Sequence, residues 1–205
     1  TTTQVVSISL ANVNDAPTGS VTIDDTTPSE GQTLTAANTL ADVDGMGAIT
    51  YSWKADGAVV GTGATYTTTQ SDVGKVITVE AAYTDGAGTA ETVASAATAA
   101  VTNVDQPASI TGDTSYSGNE GDIATGDLDA SDVDGLSDLT YFSISAQGTN
   151  GTAVIDAETG AWSYTPSDAN WYGSDSFTVT VTDDLGGTTT QVVSISLANV
   201  NDAPT

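Results

Sequence analysis

The 205-residue chain carries 22 Asp and 5 Glu against two Lys, with no Arg, His or Cys. Even with Lys54 and Lys75 each neutralising one carboxylate, 25 acids have no protein cation. Nucleic acid is therefore excluded as a partner, since phosphate binding needs basic residues, and so is adhesion to an anionic membrane surface. The composition also offers no disulfide, no thiol nucleophile, no cysteine ligand for zinc and no imidazole base. No apolar run of 18 residues is present, so this segment does not insert into a membrane. Leu, Ile, Val and Phe total only 39 residues, but 37 Thr shift the balance toward β-structure. Thin β-sandwiches fit this composition if a non-protein cation offsets the acids.

Residues Thr1 to Thr18, TTTQVVSISLANVNDAPT, recur unchanged at Thr188 to Thr205. One period of 187 residues plus an 18-residue overlap makes up the chain, which reads as a piece of a longer tandem array. A shift of 90 exposes an older repeat. Glu30-Gly31 falls on Glu120-Gly121, Asp42-Val43-Asp44-Gly45 on Asp132-Val133-Asp134-Gly135, and Tyr51 on Tyr141. Thr84-Asp85 matches Thr182-Asp183 at slightly different spacing. The junctions Asn12-Val13-Asn14-Asp15-Ala16-Pro17, Asn103-Val104-Asp105-Gln106-Pro107 and Asn199-Val200-Asn201-Asp202-Ala203-Pro204 also correspond. The expected organisation is a final strand and linker over 1–16, one domain over 17–104 and a second over 105–205.

Alternating apolar and polar residues, with Gly and Asp turns every 8–12 residues, predict sandwich strands. In chain order these fall at 19–24, 32–36, 48–54, 57–60, 64–68, 75–84 and 89–101. In the second domain they fall near 108–111, 122–126, 139–146, 152–156, 161–164, 175–183 and 188–198. Gly148-Thr149-Asn150-Gly151 is expected to close a hairpin. Trp53 and Trp162 are expected in packed positions, while Trp171-Tyr172 in a loop is the candidate for surface recognition.

The acids in register point to calcium, which takes six to eight oxygens from carboxylates and carbonyls. An extended Asp-Val-Asp is expected to send both carboxylates one way and bury the Val. A composite site at 103–105 would draw Glu30 and Asp72 from the first domain, Asn103 and Asp105 from the linker, and Asp132, Asp134 and Asp183 from the second domain. The junction at 12–15 would use Asn12, Asn14 and Asp15 with Asp42, Asp44 and Asp85. At the other end, Glu120, Asn201 and Asp202 would await a following domain. A glycosidase-type carboxylate pair is not favoured, because the acids sit at domain junctions and not in one cleft.

Over its whole length the second domain resembles a cadherin-like repeat. It carries Glu120, Asp132-Val133-Asp134, Asp156-Ala157-Glu158-Thr159-Gly160, Asp183 and the closing Asn199-Val200-Asn201-Asp202-Ala203-Pro204, similar to that family's calcium landmarks, with Asn199 in place of the family's Asp. The first domain, with Trp53 and the Asp72-Val73-Gly74 corner, resembles bacterial immunoglobulin-like modules. Their tandem alternation is similar to the extender regions of giant bacterial repeats-in-toxin (RTX) adhesins. The resemblance implies an all-β fold, two tandem Ig-like/cadherin-like β-sandwiches joined end to end by short calcium-binding linkers. It further implies Ca²⁺ as cofactor, no enzymatic activity, an extracellular place on a bacterial surface, and a spacer function with neighbouring repeats of the same polypeptide as partners. The alternative function is a carbohydrate- or protein-binding adhesive module. Residues 1–11, a final strand separated from its own domain, are expected to pair with another chain.

Overall fold

A computed structural model describes residues 3–201. The chain divides into two compact units between Val104 and Asp105, and each has a core of its own. No helix among the described residues is long and apolar enough to cross a membrane.

In the first unit, β1 (Val21–Ile23), β2 (Thr33–Asn38), β3 (Thr50–Ala55), β4 (Ala58–Thr62), β5 (Thr65–Thr67), β6 (Ile77–Thr84) and β7 (Ala90–Ala94) form two sheets. Their orders are β1-β2-β5 and β4-β3-β6-β7. Period-two alternation sends Ile77, Val79, Ala81 and Tyr83 of β6 inward. Ile77, Val79 and Ala81 meet Val21, Ile23, Leu34 and the fully buried Trp53. The Trp53 indole donates to the carbonyl of Gly63 at 2.9 Å and its ring stacks on Tyr66 at 5.9 Å.

The second unit comprises β8 (Ser109–Gly112), β9 (Ser115–Asn119), β10 (Ala124–Ser131), β11 (Phe142–Ala146), β12 (Gly151–Ile155), β13 (Ala161–Pro166), β14 (Gly173–Thr182) and β15 (Thr188–Ala198). Its sheets are β12-β13-β10-β8 and β11-β14-β15-β9, and β9 runs parallel to β15. Phe177, Val179 and Val181 of β14 face inward beside Val193, Ile195 and Leu197 of β15. Trp162 packs edge-on against Phe177 at 5.3 Å and donates to the carbonyl of Asp113. Both Trp53 and Trp162 are thus core residues. Trp171 packs partly against the same core, and Tyr172 beside it is exposed.

Several local expectations are corrected. The stretch expected as one strand at 89–101 leaves the sheet after Ala94, where Ser95 Oγ and Thr98 Oγ1 accept from the N–H groups of Val79 and Ile77. The chain then clasps the unit's end through single bridges of Ala100 to Val76, Val101 to Val73 and Thr102 to Ser29. The strand expected at 122–126 starts at Ala124 and runs on to Ser131 as β10, and β9 before it falls outside the expected strands. Tyr116 is the only large apolar residue of β9, so that edge strand has almost no hydrophobic signature. Gly148–Gly151 closes no hairpin. It joins β11 and β12, which lie in different sheets, and the N–H groups of Thr149 and Asn150 are held by the Asp175 carboxylate at 3.1 and 2.7 Å.

Two acids serve these turns. Asp156 Oδ1 accepts from the N–H groups of Glu158 and Thr159. The turn ends at Gly160, where φ is +77° and a Cβ would overlap the carbonyl oxygen of Leu128. The Asp-x-x-Thr-Gly landmark is therefore a chain-reversal device. Asp175 receives the hydroxyl of buried Tyr164 at 2.5 Å, with the N–H groups of Asn150, Ser176 and Thr149. Burial pushes the Asp175 carboxyl up, and these donors outweigh it and hold it below the ordinary value.

A carboxyl depressed in the fold contributes stability above its unfolded pKa, and that contribution is lost as pH falls through the lower folded value. Asp175→Ala is expected to cost about 1–3 kcal/mol at neutral pH, because the Tyr164 hydroxyl and two loop N–H groups lose their acceptor. Chemical denaturation at pH 7 and pH 3 checks this. The difference between wild type and variant should be smaller at pH 3, below the ordinary carboxylate value, where the unfolded chain already takes up the proton.

Candidate metal centre

At one end of the second unit the chain leaves β10 at Asp132 and β14 at Asp183, while the linker enters at Asp105. Each acid folds its own loop with one oxygen. Asp132 Oδ1 accepts from the N–H groups of Asp134 and Gly135 at 2.6 and 3.2 Å. Asp183 Oδ1 accepts from Leu185 and Gly187 at 3.0 and 2.8 Å. Asp134 Oδ2 accepts from the linker N–H of Gln106 at 2.7 Å. The second oxygens, Asp132 Oδ2, Asp134 Oδ1 and Asp183 Oδ2, are buried without a hydrogen-bond partner.

Asp105 registers the accumulated charge. Desolvation raises its carboxyl above the ordinary value, and the charges of Asp183, Asp134 and Asp132 push it the same way. Gly187 lies directly beneath two of these groups. A Cβ there would come within 2.4 Å of Asp183 Oδ2 and 2.7 Å of Asp105 Oδ2. Hard oxygen donors carrying negative charge, with no lysine in this unit, suit a divalent cation of the calcium type. Among the described residues, no group of three or more Asp or Glu side chains is placed so that it could hold a metal ion as it stands.

One expectation about this motif fails in both units. Asp-Val-Asp is a bend and not an extended segment, so the central valines are solvent-facing, Val133 at 64% and Val43 at 85% exposure. The first Asp captures the N–H two residues on, as Asp42 Oδ1 also does for Asp44 at 2.8 Å. This local side-chain competition turns the chain before a strand can form.

The corresponding end of the first unit repeats the scaffold with more neutral donors. Asp85 Oδ1 accepts from Ala87 and Thr89, matching Asp183, and Asp85 Oδ2 is likewise buried without a partner. The other acids are already engaged. Tyr83 donates to Asp42 Oδ2 at 2.6 Å, Asn12 to Asp44 Oδ1 at 2.5 Å, and the N–H of Asp15 to Asp44 Oδ2 at 2.7 Å. The last of these, followed by the Asn12 contact, holds the Asp44 carboxyl below its ordinary value. Asn14, which stands where the second unit has Asp105, donates to Glu91 at 2.8 Å. Val181 stands where the first unit has Tyr83, two residues before the aspartate, and has no hydroxyl to offer Asp132. The sequence repeat carries no direct sign of this difference, yet Tyr83 and Val181 at matched positions encode it.

At the clasped end of the first unit, the bridges Ser29–Thr102 and Val73–Val101 bring the stretches bearing Glu30, Asp72 and Asn103 side by side. Asp72 is buried, and its Oδ2 accepts from the Tyr66 hydroxyl and from Thr69. Burial pushes its carboxyl up, and these hydrogen bonds prevail to hold it low. Asp72 Oδ1, Asn103 Oδ1 and Gln70 Oε1 are buried without partners. Gln70 was not a sequence candidate, and its place in the short 3-10 turn Gln70–Asp72 is its only local signal. In the second unit Glu120 accepts from the N–H of Val200 at 2.6 Å, which spends one of its oxygens on the closing motif. Asn201 is exposed, and Asp202 lies outside the described residues.

Residues 98–199 match the bacterial cadherin-like domain, and the second unit is a cadherin-like β-sandwich. The comparison with curated protein sequences gave no match. Among solved structures, the chain is similar to protocadherin gamma B2 extracellular cadherin domains 1–5, with TM-score 0.51 and 14% identity over 94% of this chain and 42% of that one. It is also similar to mouse cadherin-23 EC22–24, with TM-score 0.45 and 20% identity over 90% and 68% of the two chains. Drosophila N-cadherin EC1–4 gives TM-score 0.40 and 15% identity over 93% and 52%. At these identities the likeness is one of fold.

Gly187→Ala tests the second-unit end with little disturbance of the backbone. The flexible carboxylates beside the new methyl can swing aside, so stability in chelator should fall by no more than about 1 kcal/mol. The same displacement removes oxygens from the cluster, and calcium affinity measured by calorimetry should drop at least about tenfold, ~1.4 kcal/mol.

Proposed function

We propose that the chain is a calcium-rigidified structural spacer, an extender repeat of an RTX-type adhesin on a bacterial cell surface, which holds a distal ligand-binding domain away from the cell. The observation that carries this reading is the trio of unpartnered buried oxygens on Asp132, Asp134 and Asp183 beside the charge-strained Asp105. The unchanged recurrence of an 18-residue stretch after 187 residues supports a tandem array, in which reach scales with copy number. The match of residues 98–199 to the bacterial cadherin-like domain supports an extracellular, adhesion-type, non-enzymatic setting.

In this reading Asp105, Asp132, Asp134 and Asp183 hold one ion, and Asp42, Asp44 and Asp85 with Asn12, Asn14 and Asp15 hold a weaker one. Glu30, Asp72 and Asn103 offer oxygens at the clasped end of the first unit, as Glu120, Asn201 and Asp202 do in the closing motif. Bound calcium supplies positive charge that offsets carboxylate repulsion and ties linker to loops. Because Asp105 belongs to the linker and Asp132, Asp134 and Asp183 to the loops, their common ion restricts the hinge that joins successive repeats.

Extracellular calcium sites bind at ~0.1–1 mM, so ~10 mM calcium stabilises each site by about 1.4–2.7 kcal/mol. Thermal unfolding should shift upward by several degrees between EDTA and calcium. Asp132→Ala combined with Asp134→Ala should remove most of the shift of the second unit. Small-angle scattering should give a narrower distance distribution in calcium than in chelator. Superimposable melting and scattering curves in the two conditions would contradict the proposal.

A further inference from the structure

In the second unit the entering and leaving segments lie side by side and run in the same direction. β9 pairs parallel with β15 in one register from Ser115–Ser194 to Asn119–Ala198. Backbone bonds close both ends of this ladder, from the Ser194 N–H to the Thr114 carbonyl at 3.0 Å and from the Glu120 N–H to the Ala198 carbonyl at 2.9 Å. β15 starts at Thr188, beside the Asp183 loop at the linker end, and ends at Ala198, beside the closing motif. A pull on the two ends of the chain therefore drags β9 toward the linker end and β15 toward the closing motif. The strands are drawn past each other along their length, so the bonds between them are loaded together and not one after another. The first unit has the same geometry in reduced form. Its last segment leaves the sheet after Ala94. It meets the entering segment through the Ala99 N–H to the Thr26 carbonyl at 2.7 Å, the Thr102 N–H to the Pro28 carbonyl at 3.0 Å and the Glu30 N–H to the Thr102 carbonyl at 2.9 Å. One parallel bridge, Ser29–Thr102, stands there among the described residues, where the second unit has a paired strand of 5 residues.

We infer that the chain is a two-stage load-bearing element, in which the β9–β15 ladder is a shear clamp that makes the second unit the strong stage and the first unit yields before it. The spacer reading supplies the source of the load, while the mechanical difference follows from strand direction alone. Forced unfolding is set by the unfolding rate and not by equilibrium stability. Bonds that must break together raise that barrier even in a unit with a small core. The weaker clasp of the first unit gives up its length first and limits the force that reaches the second. Alternation along a parallel ladder places the Tyr116 N–H, two residues after Thr114, among the donors of the clamp.

The test is single-molecule pulling of the full chain between its two ends, in chelator, so that calcium has no part in the outcome. Two unfolding steps should appear, with the second unit's at the higher force. Tyr116→Pro removes a clamp N–H, whereas Tyr116→Ala removes the same ring and keeps that N–H. The step that these variants shift belongs to the second unit, and it should be at least about tenfold faster under load in the proline variant than in the alanine variant. A second arrangement leaves the clamp unaltered. Leu185→Cys, at an exposed position in the turn between β14 and β15, gives the chain a single thiol. Pulling between this thiol and the N-terminal end puts both points of load on the second unit at its linker end, which takes the shear off the ladder. The second unit should then yield at a lower force than the first. The inference is overturned if the second unit yields first in end-to-end pulling, or if the proline and alanine variants behave alike. It is overturned equally if moving the attachment to residue 185 leaves the second unit's force unchanged.

Discussion

A carboxylate withdrawn from water needs a donor or a cation, and this chain supplies almost no cations. Its described ion pair is Lys54–Glu80 at 3.0 Å, so nearly every other acid must be solvated by neutral groups. Backbone N–H groups do most of it: Asp42, Asp85, Asp132, Asp156 and Asp183 each fold a loop around one carboxylate oxygen. Tyrosine hydroxyls add to them, in the pairs Tyr66–Asp72, Tyr83–Asp42 and Tyr164–Asp175. Burial and then the neighbouring carboxylate raise the pKa of all three phenols, Tyr66 and Tyr83 to about 12. These hydroxyls therefore stay neutral donors at any physiological pH.

The proposed ion site lies where neutral donors run out. At the second unit's linker end Val181 replaces the tyrosine and Asp105 replaces the asparagine, so the same loop scaffold that is largely satisfied in the first unit is left with three unpartnered oxygens. Each such group costs more than an unmade neutral hydrogen bond, for which ~1–3 kcal/mol is typical. A bound cation of the kind proposed would recover the deficit. Stability and ligand response thus have one origin: residues that make the apo end costly are those that would hold the ion.

Much of this organisation was legible in the residues. The offset of 90 aligned Asp42–Asp44 with Asp132–Asp134, and alternating apolar positions located β6, β14 and β15. The failures have specific causes. The β9 strand has hardly any apolar residues, and its place depends on parallel pairing with β15, seventy-nine residues on in sequence at every pair from Ser115–Ser194 to Asn119–Ala198. The Asp-Val-Asp bend is decided by side-chain capture of backbone N–H groups, which overrides the β-propensity of valine. Asn150-Gly151 looked like a hairpin because turn residues report a reversal, not which sheet the next strand joins. TTTQVVSISLA shows the limit most plainly, since one sequence is a core strand at 188–198 and an exposed segment at 3–11. Partner strands decide its fate.

The unpartnered oxygens of the second unit are the proposed calcium site. Its most direct test is a calorimetric calcium titration of the intact chain beside Asp183→Asn. That substitution keeps the Oδ1 acceptor used by Leu185 and Gly187 and removes the charge. The account requires saturable binding near ~0.1–1 mM in the wild type, with the tighter class of sites weakened at least about tenfold in the variant. Absence of saturable heat in the wild type, or an unaltered isotherm in Asp183→Asn, would contradict it.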